Sequence, residues 1–559
     1  MVASHHSPTK VWEDAVDSIL RKCHWDTFSC KMFLHALHDN PHISMEDLER
    51  LKHTLRDSSI VGSANARKMI RFCYTHLPSH YMTCFLSIFP QDKSLLIRRT
   101  SLVRRWVAEN LITRRHELSA LDEAERCFNE LIFRGLTLAH SMGADGRVKS
   151  CKVHPHVSSF ITLMAREENI AGNTGLQPKL ACRLSIRHGI QLQQLAEKPQ
   201  ATCWRPHMHK ARRGELEGLL DDDMLAFLNL VPASSQLGLV KVLDLEGCKG
   251  LQKNNLKNIC NKLFQLRFLS LRNTDATELP REIEKLRYLQ TFDIRQTKVE
   301  SFPGKAIVML QKLVHLLLAG HIGSDGSFST FHLPHHGVGS MTNMQILSHI
   351  EVSDSADVRQ LIEVGRLHHL KKLGVVIHGN EAHLLTFLLR AIGKLNEYLC
   401  SLSVRIETVK DAGVFRSTRR HVDGEADDMN SNDAAFSPPK SLTSVSINGW
   451  ISGLPTWIKE LQKLSKITLF GTYLTDTDIE MLGQLVKLRC LRLRHNSYIL
   501  EKLIMKEKRF QKLEFLVVEG TDITFEQSAA PMLVKIGFIF KAPITFEQSA
   551  APITFSIRN

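Results

Sequence analysis

Few residues in this chain have the types and spacing that chemistry would need. Cys203, His207 and His209 are zinc-type donors close together in sequence. A structural zinc site wants four such ligands in a tetrahedron. No fourth donor is in view, and Trp204 and Arg205 between them suit a connector, so no metal is expected. Serine, histidine and acid can be combined on paper in any chain this size, but no G-x-S-x-G elbow is present to strain a nucleophile into place. Nor is there a G-x-x-x-x-G-K-[ST] run. Without it there is no backbone nest for phosphates, no lysine on them and no hydroxyl for magnesium. Leu243-Asp244-Leu245-Glu246 resembles an aspartate-ended, magnesium-holding strand only on the surface, because it falls in a repeat. No catalytic centre is expected. What remains is binding chemistry in two ladders of polar and aromatic side chains: Arg267, Ser270, Arg272, Asp293 and Arg295, then Lys466, Thr468, Phe470, Arg489, Arg492 and Arg494.

The elements that would position those ladders are short strands written LxxLxL. They read Val240-Lys-Val-Leu243-Asp-Leu245, Leu266-Arg-Phe-Leu269-Ser-Leu271, Leu289-Gln-Thr-Phe292-Asp-Ile294 and Leu313-Val-His-Leu316-Leu-Leu318. Their last anchors stand 26, 23 and 24 residues apart, inside the period of leucine-rich repeats. Two continue into Arg-x-Thr, at Arg272 to Thr274 and Arg295 to Thr297, and Leu279-Pro280 and Phe302-Pro303 supply turns to the convex side. The pattern fades over residues 324–411, where Leu347, Leu373 and Leu402 mark irregular repeats. It returns at Leu464-Ser-Lys-Ile467-Thr-Leu469, Leu488-Arg-Cys-Leu491-Arg-Leu493 and Leu513-Glu-Phe-Leu516-Val-Val518. Side chains between the anchors point away from the core because successive residues of a strand face opposite ways. The concave face built this way is the expected partner-binding surface. On that reading Arg272 is a solvated position whose loss should cost no more than about 0.5 kcal/mol.

Upstream, residues 11–173 have helical texture, with Val11, Ala15 and Ile19, then Leu48, Leu51 and Leu55, at three and four spacing. Leu77-Pro78 and Phe89-Pro90 cut it into short helices, since proline cannot continue the backbone ladder. Seven basic residues, Lys93, Arg98, Arg99, Arg104, Arg105, Arg114 and Arg115, face only Glu109 in that stretch. An amphipathic helix over 121–133, a strand from Leu136, a Gly-Ala-Asp-Gly turn at 143–146 and a strand over 148–153 read as the tail of a winged helix. The fold class expected is α/β: a helical and winged-helix N-terminal region followed by a curved leucine-rich-repeat solenoid. Its divisions would be a helical remnant (1–66), a winged helix (67–170), a connector and repeat cap (171–235), a first repeat block (236–411), an acidic insertion (412–440) and a second block (441–559). The segment at 216–230 is the available cap. Ile-Thr-Phe-Glu-Gln-Ser-Ala-Ala-Pro occurs at 523–531 and again, verbatim, at 544–552. That points to a recent duplication or a gene-model artefact.

A chain of 559 residues is too long for one core. Its 43% apolar and 23% charged residues are ordinary for globular protein. The longest apolar run, at 313–320, falls short of a membrane span, and residues 1–10 carry no signal-type apolar stretch, so the cytosol or nucleus is the expected compartment and no membrane partner is expected. The twelve scattered cysteines form no C-x-x-C pair and are read as reduced core residues. A formal charge of +14 keeps nucleic-acid binding as the alternative, with Arg104 and Arg105 as its carriers, although arginines interleaved with Leu102, Trp106 and Leu111 suit a domain interface as well.

These features together resemble a known family, the plant intracellular nucleotide-binding leucine-rich-repeat immune receptors, in the coiled-coil class abundant in grasses. The carrying residues are 67–90, in which a helix ends at Leu77-Pro78 and is followed by Cys84-Phe-Leu-Ser-Ile-Phe89-Pro90, and 102–112, Leu102-Val-Arg-Arg-Trp106-Val-Ala-Glu109-Asn-Leu-Ile112. The resemblance implies a disease-resistance receptor that recognises a pathogen effector or a guarded host protein, lacking the coiled coil and phosphate-binding domain of the family. ADP or ATP belongs to the full-length receptors; in this chain no cofactor is expected, and a full-length receptor could be the partner that supplies the nucleotide-binding domain. The family's ADP-contacting histidine, in a Met-His-Asp triplet, would correspond to His154. Here the triplet is Val153-His154-Pro155, and the missing aspartate puts that contact in doubt. A pseudogene product without function is the remaining alternative.

Overall fold

The computed structural model describes residues 8–23, 26–39, 43–55, 62–88, 96–113, 119–143, 146–167, 240–318, 330–354, 357–378, 382–407, 438–449, 454–499, 502–519, 522–539, 544–546 and 554–558. The connector and the cap at 216–230, with Cys203, His207 and His209, lie outside the described residues, as do Lys93, Arg114, Arg115 and most of the acidic insertion. The chain divides into two compact units.

In the first unit, helices α1 (Pro8–Lys22), α2 (Thr27–Asp39), α3 (Met45–Thr54), α4 (Gly62–Thr75) and α5 (Ser79–Leu86) precede strand β1 (Ile97–Arg98), helices α6 (Arg99–Ala108) and α7 (Ala120–Phe133), strands β2 (Leu138–Met142) and β3 (Val148–Lys152), and helix α8 (Pro155–Glu167). Local chemistry sets several starts. Ser44 and Asp47 form a capping box, the Ser44 Oγ accepting from the Asp47 amide at 3.2 Å and Asp47 Oδ2 from the Ser44 amide at 3.1 Å. Ser119 opens α7 by accepting from the Asp122 amide at 3.2 Å, and Gly135, at φ +70°, lets the chain leave it. β1, β3 and β2 form an antiparallel sheet in that order, the wing of a winged helix. One apolar core runs from Ala15 to Met164 and includes Phe33, Phe85, Trp106, Phe128 and Phe160, each 1% exposed or less. The division expected at 66/67 falls inside α4, and residues on both sides of it share this core.

In the second unit, strands β4 (Val242–Asp244), β5 (Phe268–Ser270), β6 (Thr291–Asp293), β7 (His315–Leu317), β8 (Ile346–Val352), β9 (Lys372–His378), β10 (Ser401–Glu407), β11 (Ser444–Asn448), β12 (Lys466–Phe470), β13 (Cys490–Arg494), β15 (Phe515–Glu519), β17 (Lys535–Ile539) and β19 (Thr554–Arg558) join one sheet in chain order. Parallel neighbours need a crossover. Helices at Lys253–Lys262, Val358–Val364, Ala382–Lys394 and Asp476–Gly483, and 3-10 turns at Arg281–Lys285, Ala306–Met309 and Thr456–Glu460, provide it. The anchors line up in a single row: Leu269, Phe292, Leu316, Leu347, Leu373, Leu402, Val445, Ile467, Leu491, Leu516 and Ile536 are successive register partners. The two blocks read from sequence are therefore one sheet, joined where β10 pairs with β11.

The Arg-x-Thr pairs are corners. Thr274 and Thr297 each donate from Oγ1 to the carbonyl of the last anchor, Leu271 or Ile294, at 2.7 Å. The residues before them, Asn273 and Gln296, have φ of +54° and +60°. Carboxylates then tie one repeat to the turn before it: Asp275 accepts from the Gly250 and Leu251 amides, Glu363 from Gly337 and Gly339, and Asp478 from Leu454, all at 2.7 to 3.0 Å. In the faded region the strands are the longest of the sheet, seven residues each in β8, β9 and β10. A bulge between Leu347 and Ile350, with His349 at φ +59°, presses on β9 so closely that only a glycine fits at Gly374. The duplicated segment is structural: Ile523, Thr524 and Phe525 in β16 (Asp522–Phe525) pair in register with Ile544, Thr545 and Phe546 in β18 (Ile544–Phe546), and β14 (Lys502–Met505) completes that second sheet. Among the described residues, no helix is long and apolar enough to cross a membrane.

Candidate partner-binding surface

The sheet presents its outward face through alternation. In β12 and β15 every second residue is buried, so Lys466, Thr468 and Phe470, and Phe515, Val517 and Glu519, stand outward and half-buried above Ile467, Leu469, Leu516 and Val518. β13 adds Arg492 and Arg494 to the same face. Register places Thr468 beside Arg492 and Phe470 beside Arg494, which brings the second predicted ladder together. Arg494 lies 5.8 Å from the Phe470 ring centroid, and Phe470 stacks on His495 at 5.1 Å. Arg489, just before β13, is exposed and donates from Nε to Glu514 at 2.7 Å.

The first ladder is also assembled, Ser270 beside Asp293, but it is not the solvated row the sequence suggests. Ser270 is 3% exposed and Asp293 6%. Arg295 lies back along its own strand, its Nε donating to Asp293 Oδ1 at 2.8 Å. Burial pulls the Arg295 guanidinium toward losing its proton, and the Asp293 carboxylate overrides that, holding its pKa above the ordinary value. Arg272 donates to Gln296 at 3.1 Å and faces Glu246 at 3.5 Å. Alternation identifies the face a residue takes; it does not show that a long cation will fold over its neighbours and seal them. Arg267, preceding β5, offers its carbonyl to the Gln290 and Thr291 amides.

Between the ladders lie outward groups that sequence reading passed over. His378 sits between Glu351, at 3.8 Å, and Glu407, at 3.5 Å; Arg405 pairs with Glu407 at 2.6 Å, and His332 with Glu351 at 3.3 Å. Counting two and four residues on from the outward position after Leu373 would have reached Val376 and His378. Burial lowers the pKa of His349, against the pull of the Leu318 carbonyl, which its Nδ1 meets at 3.0 Å, and the Arg295 and Arg405 charges lower it further. Among the described residues, no group of three or more His, Cys, Asp or Glu is arranged to hold a metal ion.

His154 lies in the first unit, at the junction of β3 and α8. Its ring stacks on Phe28 at 4.2 Å, and its Nδ1 accepts from the His156 amide at 3.3 Å. Burial, then the neighbouring His156, lowers its pKa against the pull of Asp26. One ring face and one nitrogen are thus already used in packing. In the basic stretch, Arg99 is paired with Glu125 at 3.0 Å.

A family model described as leucine-rich repeat region matches residues 225–559, more than half of the chain, and one described as disease resistance protein winged helix domain matches 88–161. Among curated proteins of Oryza sativa subsp. japonica, Disease resistance protein Pik-2 is 26% identical over 85% of this chain and 47% of its own length. Disease resistance protein PIK6-NP is 29% identical over 80% and 43%, and Disease resistance protein RGA4 is 28% identical over 84% and 44%. The chain spans about half the length of the curated relatives it matches.

Proposed function

Because the chain belongs to the leucine-rich-repeat disease-resistance proteins of plants, we propose that it serves defence as a recognition protein, binding a pathogen effector or a guarded host protein on the outward face of its repeat sheet. The observation that supports this is the unbroken anchor row with a polar and aromatic row above it. Solenoids use such extended surfaces to bind partners. Location in the cytosol or nucleus is part of the same reading, and cell fractionation tests it.

Complementation tests the reading itself. A plant lacking the gene should lose resistance to the matching pathogen, and the wild-type chain should restore it. Lys466→Ala combined with Phe470→Ala should accumulate to the wild-type level yet fail to restore it. Full restoration by that variant would overturn the reading.

The chain is further expected neither to bind nor to hydrolyse ATP by itself. Any nucleotide chemistry would come from a full-length receptor acting as its partner. Calorimetric titration with ADP and ATP should give no heat beyond dilution, and a low-micromolar dissociation constant would contradict this.

A further inference from the structure

The three arginines of one repeat look toward the next repeat in a regular way, and one of them finds nothing there. Arg489 meets Glu514, 25 residues on, and Arg494 meets Glu519, again 25 on. The position 25 beyond Arg492 is Val517, its register partner in β15. On its other side the register partner is Thr468. Arg492 Nε is shielded from solvent and has no hydrogen-bond acceptor among the described residues. A buried guanidinium N–H left unpaired is costly, more so than a neutral donor.

The rest of the sheet sharpens the contrast. In the first ladder Arg295 pairs with Asp293, and Arg272 with Glu246 and Gln296. Over β12 to β15 the outward and flanking cations are Lys466, Arg489, Arg492 and Arg494, against the carboxylates Glu514 and Glu519. Val517 lies beside Arg492, and Phe470 and Phe515 stand two places along the neighbouring strands on the same face; apolar neighbours lower the local dielectric and strengthen a charge-assisted bond made there.

We propose that Arg492 is the specificity-determining residue of the recognition surface, and that the partner is a protein segment laying a carboxylate side chain, flanked by an apolar one, on the outward guanidinium of Arg492 between Thr468 and Val517. This rests on the recognition reading above and names the chemistry of its partner. Guanidinium and carboxylate match in planar, two-pronged geometry, and the apolar surroundings favour a peptide over a phosphate backbone, whose recognition depends chiefly on many exposed cations.

The test is selection of a random displayed peptide library on the purified full chain, on Arg492→Gln and on Arg492→Glu, with Lys285→Gln, in the 3-10 crossover between β5 and β6, as control and unchanged melting curves as proof of folding. The wild type should select peptides carrying Asp or Glu beside an apolar residue. Arg492→Gln should bind the selected peptide roughly 30-fold more weakly, Arg492→Glu should select Lys- or Arg-bearing peptides instead, and the control should match the wild type. Wild-type selection of peptides without an acid would overturn this proposal while leaving recognition by the face intact. The same acidic peptides emerging on Arg492→Glu would overturn it too, as would no consensus at all; complementation then decides the broader reading independently. A mixed-sequence single-stranded oligonucleotide bound with the same dependence on Arg492 would overturn it in favour of nucleic acid.

Discussion

Leu271→Ala should destabilise the repeat unit by about 2 to 5 kcal/mol, the cost of large-to-small changes in a packed core. Leu271 is fully buried at the corner that closes one repeat on the next, its amide donating to the Asp293 carbonyl at 2.7 Å and its carbonyl accepting from Thr274. The neighbouring repeats cannot collapse into the cavity without shifting the sheet register, so most of the loss should be retained. Arg272→Ala, one position on and outward, is the comparison. The sequence alone gives it no more than about 0.5 kcal/mol; the structure raises that to about 1 kcal/mol, because the side chain is mostly shielded and tied to Gln296 and Glu246. Urea unfolding of both variants, followed by circular dichroism, reads the difference. Equal losses would mean that the strand faces are assigned the wrong way round.

Trp106→Ala should cost the first unit about 3 to 5 kcal/mol. Trp106 is 1% exposed in the core shared by α5, α6 and α7, and its Nε1 donates to Ser87 Oγ at 2.6 Å. Truncation removes the largest fully buried side chain of the protein's described residues and leaves that hydroxyl without its donor. Trp106→Phe keeps most of the apolar volume and loses only the hydrogen bond and part of the ring, so it should cost about 1 to 3 kcal/mol. Hydrogen exchange of α4 to α7 measures both. A loss below about 1 kcal/mol for the alanine variant would show that the core is not closed around this ring.

Much of this was legible in the residues because apolar periodicity reports directly on burial. Leu269, Phe292 and Leu316 were placed from spacing alone, and Leu347, Leu373 and Leu402 held the register even where the surrounding pattern faded. Two kinds of fact were not legible. Whether an outward position is open depends on what the neighbouring side chains do: spacing makes Asp293 and Ser270 look available, whereas both are buried and Asp293 is held by Arg295. Packing between segments distant in sequence is equally hidden: the cut expected at 66/67 follows a change of texture, whereas α4 runs through it and one core binds both sides. The pairing of His378 with Glu351 and Glu407 falls in between. Its outward face followed from Leu373, but its partners came from strands whose repeats were too irregular to align.

The proposed function divides the labour within each strand: inward residues hold the repeats together, and outward residues are the ones proposed to recognise the partner. Saturation mutagenesis of residues 466–470 and 490–494, read once for protein abundance and once for restored resistance in the plant, measures that division directly. Loss of abundance should concentrate at Ile467, Leu469, Leu491 and Leu493, and loss of resistance at normal abundance should concentrate at Lys466, Thr468, Phe470, Arg492 and Arg494. Resistance that tracks abundance at every position, with no outward residue lost for function alone, would contradict it.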